Sequence, residues 1–265
     1  MSEYNLNYIV DFNDFTKDII YYKEIDSTNN IAKKILNKVN LIRNNFLVLA
    51  DTQINGRGKG NSHYFSPPKV GIYMSAALIN PQCDLKFISV ATSLAVYGAV
   101  KSFVNADIKI KWPNDILING KKVCGILTEG ILSKTQKNKI NPAIIGIGIN
   151  LQEDKNGFPE ELSKIATSAN INFEKKDEVI NFLLQEILLD LKNENHNLVM
   201  DEYKNRSNLI GKVVNVIENT FTGETYQAKV IDITDKGHLL VKKKLQNSFE
   251  EKITEIFTGE VSIKF

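Results

Sequence analysis

DIKIKWPNDILINGKKVCGILTEGIL (Asp107–Leu132) carries the decisive local signals of this chain. DIKIKWP is a β-prone run stopped at Pro113, which has no N–H to give to a ladder. Asn119–Gly120 is a strong two-residue hairpin signal, since both residue types accept the left-handed backbone such turns need. It joins DILI to KKVCGILTEGIL, so the segment reads as antiparallel strands.

Outward from this hairpin the chain alternates strands and helices. Upstream, IIYYKEI (Ile19–Ile25), NFLVLADTQ (Asn45–Gln53) and GIYMSAALI (Gly71–Ile79) have the apolar, β-prone character of strands. DSTNNIAKKIL follows the first with apolar residues at helical spacing and Asp26 or Ser27 as N-cap. Asp84–Val104 reads as a long buried helix. Downstream, PAIIGIGINL (Pro142–Leu151) is another strand and Asp177–Asn205 has the spacing of two amphipathic helices. From Gly211 short strands alternate with turns: KVVNVIE, the Thr222–Gly223 turn, YQAKVIDI, the Asp235–Gly237 turn, HLLVKK and EVSIKF. This pattern predicts a small barrel. The expected division is residues 1–208 and 209–265.

Composition narrows the function classes. A chain of 265 residues, 43% hydrophobic and 24% charged, is an ordinary globular protein with room for a second, smaller unit. A net charge of +2 gives no electrostatic footprint for DNA or RNA. Cys83 and Cys124 lie far apart and the three histidines are scattered, so neither a disulfide framework nor a resident metal site is expected. The polar, acidic start MSEYNLNYIVDFND is not a signal peptide, and no apolar run is long enough to span a bilayer. The expectation is a cytoplasmic protein with reduced thiols, bound to no membrane.

Four polar or glycine-rich segments interrupt apolar strands at their ends. The first is Ser27-Thr28-Asn29, at a strand-to-helix junction where hydroxyls and free N–H groups converge; as structure alone it is an N-cap. The second is Gln53-Ile-Asn-Gly56-Arg57-Gly58-Lys59-Gly60, whose glycines let backbone curl about an anion that Arg57 and Lys59 neutralise. It fits neither the P-loop nor the dinucleotide fingerprint. The third pairs Lys111-Trp-Pro-Asn114-Asp115 with Lys122-Val-Cys-Gly125. Trp112 and Cys124 read as packing residues within it. The fourth is Gly146-Ile-Gly148-Ile-Asn150, where glycines permit close approach to a strand.

Taken in order, STN, GRGK, KWPND, KxxGIL and GxGIN resemble the signature set of biotin–protein ligases, and the resemblance runs through nearly the whole chain. It implies an α+β fold: a mixed β-sheet catalytic domain with flanking helices, followed by a small SH3-like barrel. It also implies ATP-dependent, Mg²⁺-assisted activation of biotin to biotinoyl-adenylate, then transfer to a lysine of a biotin carboxyl carrier protein domain. About twenty residues before the first strand leave no room for a DNA-binding domain, so no DNA partner is expected. By the resemblance Ser27, Thr28, Asn29, Gln53, Gly56, Arg57, Gly58, Lys59, Lys122 and Gly125 hold biotin. Arg57, Lys59, Tyr64, Asn114, Lys122 and Asn150 contact the nucleotide or its metal. Lys122, Arg57 and Asp115 carry the chemistry, Asp115 as the base for the acceptor amine, with no nucleophilic serine or cysteine.

Two positions depart from the family pattern. Lys59 stands where arginine is usual, and a point charge cannot reproduce a two-pronged guanidinium contact. Tyr64 stands where tryptophan is usual, a smaller face for stacking. Both lie in the loop expected to close over the adenylate, which predicts looser retention of that intermediate. Lipoate–protein ligases share the fold and the chemistry and form the nearest alternative; a non-catalytic biotin or adenylate sensor is the next. Oligomeric state is not legible, and a homodimer is compatible with the sequence.

Overall fold

The structure, a computed structural model, describes residues 18–38, 44–60, 62–132, 140–217, 225–244, 251–257 and 259–263. The N-terminal MSEYNLNYIVDFND segment and the Thr222–Gly223 turn lie outside the described residues. Strand β1 (Asp18–Ile25) leads into helix α1 (Thr28–Lys38), β2 (Phe46–Gln53), β3 (Gly71–Leu78) and α2 (Leu85–Phe103). Then come β4 (Ile108–Lys111), β5 (Asp115–Ile118), β6 (Lys121–Leu132) and β7 (Ile140–Asn150). One helical turn, α3 (Glu160–Ser163), precedes α4 (Lys176–Lys192) and α5 (His196–Arg206). Five strands close the chain: β8 (Val213–Ile217), β9 (Thr225–Ile233), β10 (Leu239–Lys244), β11 (Glu251–Ile256) and β12 (Glu260–Ile263).

The first seven strands form one sheet in the order β1-β2-β3-β7-β6-β5-β4. Strands β1 and β2 are parallel, joined by the crossover helix α1, and every other neighbouring pair is antiparallel, so the sheet is mixed. Alternation of side chains along each strand divides the apolar residues between two layers. Leu47, Leu49, Met74, Ile145 and Ile147 pack with α2 and α4, in one cluster with Val96, Val100, Leu183 and Leu184. Phe46, Val48, Ala50, Ala77 and Ile144 pack with Ala32 of α1 on the other face. Helix α2 is capped by Asp84, whose carboxylate accepts from the Phe87 amide at 2.8 Å, and ten of its residues are buried.

The hairpin forms where expected. Asn119 and Gly120 have φ of 49° and 81°, the left-handed pair that a tight hairpin turn requires. The turn returns β6 so that Asp115 opposes Gly125. The start of β6 is held from its other edge too: the Lys122 amide donates to the Ile165 carbonyl, and the Lys122 carbonyl accepts from the Thr167 amide.

The C-terminal strands make a separate antiparallel sheet, order β11-β10-β9-β8-β12, of the SH3-like kind. Its inside is Val214, Val216, Ala228, Val230, Leu239, Val241 and Ile256. Strand β11 was not among the expected strands. EKITEI lies at the sheet edge with Ile256 as its one fully buried residue, so it lacks the alternation that marks a two-sided strand, and its charges suit an edge. Trp112, expected as a packing residue, is 3% exposed, and its indole Nε1 donates to the Gly237 carbonyl of the small sheet at 2.9 Å. Lys204 and Asp235 form a second link at 2.7 Å. Among the described residues no helix is long and apolar enough to cross a membrane.

Two stability predictions follow from this packing. Trp112→Phe keeps most of the apolar contact but leaves the Gly237 carbonyl without its donor, and is expected to cost about 1–3 kcal/mol in urea unfolding. Circular dichroism is the suitable probe, because the chain has one tryptophan. In the α4–α5 region, burial first, then the charges of Glu186 and Glu202, push the Asp190 carboxyl from its ordinary 3.8 up to about 6. A raised carboxyl binds its proton more tightly folded than unfolded, so its ionisation costs stability as pH rises through that window. Asp190→Asn should therefore raise Tm relative to the parent at pH 7.5, with the gain shrinking as pH falls below about 6.

Candidate active site

The face of the sheet that carries α1 is apolar at one end and polar at the other, and the polar end gathers the four segments singled out in the sequence. Ser27, Thr28 and Asn29 are all buried. The Ser27 carbonyl accepts the first helical bond from Ile31, which puts Ser27 at the N-cap position of α1. The Thr28 amide and hydroxyl both donate to Gln53 Oε1, at 2.8 and 3.2 Å. Gln53 in turn donates through Nε2 to Ser66 Oγ at 2.9 Å. Ser75 Oγ lies 2.7 Å from Thr28 Oγ1 and 2.5 Å from Asn29 Oδ1. Asn29 Nδ2 donates to Glu129 Oε2 at 2.8 Å. Burial of the Thr28, Asn29 and Ser75 side chains is tolerable because each has a partner.

The glycine- and cation-rich loop closes on itself as a small hairpin. The Tyr64 amide donates to the Gly56 carbonyl and the Gly58 amide to the Ser62 carbonyl, both at 2.8 Å, with Arg57 opposite His63. The Gly58 N–H is thereby engaged within the loop. Arg57 Nη1 donates to Glu129 Oε2 at 3.1 Å and to Asn30 Oδ1 at 3.3 Å. Lys59 reaches away from the loop, and its Nζ donates to the Gly259 carbonyl of the small sheet at 2.6 Å. It lines a cleft of about 230 Å³ between the two sheets together with Lys86, Trp112, Asn114, Thr128 and Phe257.

Lys122 and Asp115 form an ion pair at 2.6 Å, with the lysine side chain 37% and the aspartate 24% exposed. Asn114 donates to the Ile126 carbonyl, and Ile126 returns its amide to the Asn114 carbonyl. Asn150 donates to the Thr167 carbonyl at 3.0 Å and accepts from the Tyr64 hydroxyl at 3.0 Å.

Between these groups lies a floor of glycine. Gly125 of β6 pairs with Gly148 of β7, and Gly146 sits two residues along. The Tyr64 ring rests on this floor: a Cβ built at Gly148 would stand 2.5 Å from it, and one at Gly125 would stand 3.3 Å away. At Gly146 a Cβ would run into the Asn29 amide. Burial is the first cause that pushes the Tyr64 phenol well above its ordinary value, so it is a hydrogen-bond donor at neutral pH. Cys124 is fully buried on the opposite side, and burial likewise raises its thiol.

Four residues of this network were not singled out from the sequence: Glu129, Ser75, Lys33 and Ser66. Two had a readable signal. Ser75 interrupts the apolar run of β3, whose eight residues are all buried, so it needed a polar partner. Glu129 follows the KxxGIL run on the same face as Gly125, since residues two apart on a strand share a face. Lys33 and Ser66 gave no such sign.

The biotin/lipoate A/B protein ligase family model matches residues 21–150. Over 254 residues, 92% of this chain and 74% of the relative, the chain is 33% identical to the bifunctional ligase/repressor BirA of Bacillus subtilis (strain 168). It is 27% identical to the biotin–[acetyl-CoA-carboxylase] ligase of Mycobacterium tuberculosis, over 73% of this chain and 71% of that one. Among solved structures, the biotin protein ligase of Aquifex aeolicus in complex with biotin and ATP superposes with a TM-score of 0.73 at 27% identity, covering 94% of this chain and 99% of that one. Likeness of this extent, on both the sequence and the fold, leaves one conclusion: the chain belongs to the biotin/lipoate A/B protein ligase family.

Proposed function

We infer that this chain is a biotin–protein ligase, which joins biotin to AMP at the expense of ATP and passes the biotinoyl group to a lysine of a biotin carboxyl carrier protein domain. The observation that carries the reading is the convergence of STN, GRGK, KWPND, KxxGIL and GxGIN on one polar sheet face above a glycine floor. The likeness to the Aquifex ligase, solved with biotin and ATP, supports it.

In this reading Ser27, Thr28, Asn29 and Gln53 supply donors and acceptors to the ureido ring, and Gly125 leaves room for the bicycle. The first step brings a carboxylate to a triphosphate. A carboxylate oxygen bonds to the α-phosphorus while the bond to the pyrophosphate oxygen breaks. Charge concentrates where these anions meet, and fixed cations stabilise it more in the transition state than before it. Arg57 and Lys122 are the cations for that point, with Lys59 toward the nucleotide. In the second step the carrier amine bonds to the acyl carbon and the bond to AMP breaks. The amine must first lose a proton, since a free lysine has a pKa of roughly 10.4. Asp115 is the nearby carboxylate to take it, already paired with Lys122.

Mg²⁺ fits this site as a passenger on the nucleotide. Among the described residues no three His, Cys, Asp or Glu side chains cluster as a metal cage. Phosphate oxygens and water would then supply most of its ligands, as is usual for this ion, with Asn114 and Asn150 as the amides nearest to help. Residues 1–208 would form the unit that handles biotin and ATP, and residues 209–265 a second unit that meets it at Lys59 and Trp112. The two thiols are unpaired, which accords with a cytoplasmic setting.

The test is pyrophosphate release from purified protein with ATP and Mg²⁺, with biotin, lipoate or no acid added. Release is expected with biotin alone, followed by transfer of label to a carrier domain; release driven by lipoate would move the chain to the sister activity. Lys122→Met should lower kcat for biotin-dependent release by about 100-fold or more, the usual scale for removing one charge-stabilising group. A loss below threefold would remove Lys122 from the chemistry.

A further inference from the structure

We propose that Glu129 is the positioning residue of this site: it fixes both the Arg57 guanidinium and the Asn29 amide in the orientation that receives the acid substrate. Every atom of its carboxylate is in use. Oε2 accepts from Asn29 Nδ2 at 2.8 Å and from Arg57 Nη1 at 3.1 Å, and Oε1 accepts from Lys33 Nζ at 2.6 Å. One strand residue thus ties α1, the Arg57 loop and β6 together. Burial would raise the Glu129 carboxyl, but hydrogen bonds from Lys33 and Asn29, and the charges of Lys33 and Arg57, outweigh it and hold the group below its ordinary value. It is a carboxylate throughout the neutral range.

The consequence for Arg57 is geometric. A guanidinium has five N–H donors in a rigid fork. Glu129 and Asn30 both take Nη1, and among the described residues Nε and Nη2 have no protein partner. The Nε–Nη2 edge is the one that grips a carboxylate with two parallel bonds. Holding Nη1 therefore presents that edge to the site, with the side chain 31% exposed. The consequence for Asn29 is its amide orientation. Glu129 accepts from the nitrogen, so the oxygen faces Ser75, with the amide over Gly146.

A buried carboxylate near an anion site could also act the opposite way, by repelling the substrate. Lys33, at 2.6 Å, largely cancels that field. Removal of the charge alone would then change little, whereas removal of the geometry is unavoidable. Glutamine has one acceptor oxygen in place of two. In Glu129→Gln the new NH₂ must face either Lys33 or the Asn29–Arg57 pair, donor against donor.

The inference rests on the biotin-ligase reading, and the experiment separates the two. Biotin Kd by calorimetry and kcat and KM for pyrophosphate release are measured on the full chain for wild type, Glu129→Gln, Arg57→Ala and the double variant, with circular dichroism to confirm folding. Glu129→Gln is expected to raise biotin Kd and KM by at least about tenfold, the scale on which small misplacements act. In the Arg57→Ala background the same change should raise Kd by much less, because part of what Glu129 positions is gone. An unchanged or lower Kd, or an equal rise in both backgrounds, overturns the proposal. If Glu129→Gln does not fold, Glu129→Asp replaces it: the charge stays, the reach shortens, and the same rise is expected. Wild-type protein that neither binds biotin nor releases pyrophosphate overturns the functional reading itself.

Discussion

Everything at this site depends on the absence of side chains along the pairing of β6 with β7. Gly125 and Gly148 face one another across the ladder, and Gly146 opposes Leu127. A single Cβ at Gly146 or Gly148 would collide with the Asn29 amide or the Tyr64 ring. Backbone that carries no side chain is one of the few ways to open space on the face of a packed sheet, where side chains fill to crystal-like density. Glycine costs a strand roughly 0.5–1 kcal/mol relative to alanine. The chain accepts that cost at three positions on one face while the opposite face of β7 carries the buried apolar residues Ile145, Ile147 and Ile149.

Once that floor exists, the polar residues above it cannot be placed singly. Thr28, Asn29 and Ser75 are each nearly or fully buried, and an unpartnered buried polar group costs about 1–3 kcal/mol. They are therefore linked: Gln53 to Thr28, Thr28 to Ser75, Ser75 to Asn29, Asn29 to Glu129, Glu129 to Arg57. Such a chain is rigid because each member has one arrangement that satisfies its neighbours. The same linkage joins α1, β3, β6 and the Arg57 loop, which are distant in sequence. In the proposed function that rigidity would serve recognition, since donors and acceptors fixed in advance lower the cost of binding.

Much of this was legible in the sequence, and the reasons are local. The Asn119–Gly120 turn, the Ser27 cap and the strands of the main sheet follow from backbone preferences that act within a few residues. The ordered motifs marked the floor and the loop because glycine and cations in alternation have few structural uses. What the sequence did not yield depends on contacts across the fold. Strand β11 has too little apolar alternation to be seen and exists by pairing with β10. Glu129 carries a sign in the sequence, its place on the Gly125 face of β6, but its three donors come from α1 and the loop and appear only in the fold. The engagement of the Gly58 amide by Ser62 likewise appears only once the loop folds into a hairpin.

The position of Lys59 ties these threads together. Its neighbour two residues back, Arg57, turns inward to Glu129, while Lys59 turns outward to the Gly259 carbonyl of the small sheet. Residues i and i+2 of an extended segment share a side, so the divergence comes from the loop's curl between Gly56 and Tyr64. An ammonium on a four-carbon stem can make that reach with any of three rotatable donors. The small sheet is thereby in contact with the loop between Gly56 and Tyr64, and Trp112 fixes the same sheet from the KWPND side. The loop, the hairpin and the small sheet enclose one cleft. Lys59 and Trp112 are thus two points, far apart in sequence, at which the small sheet is tied to the main unit.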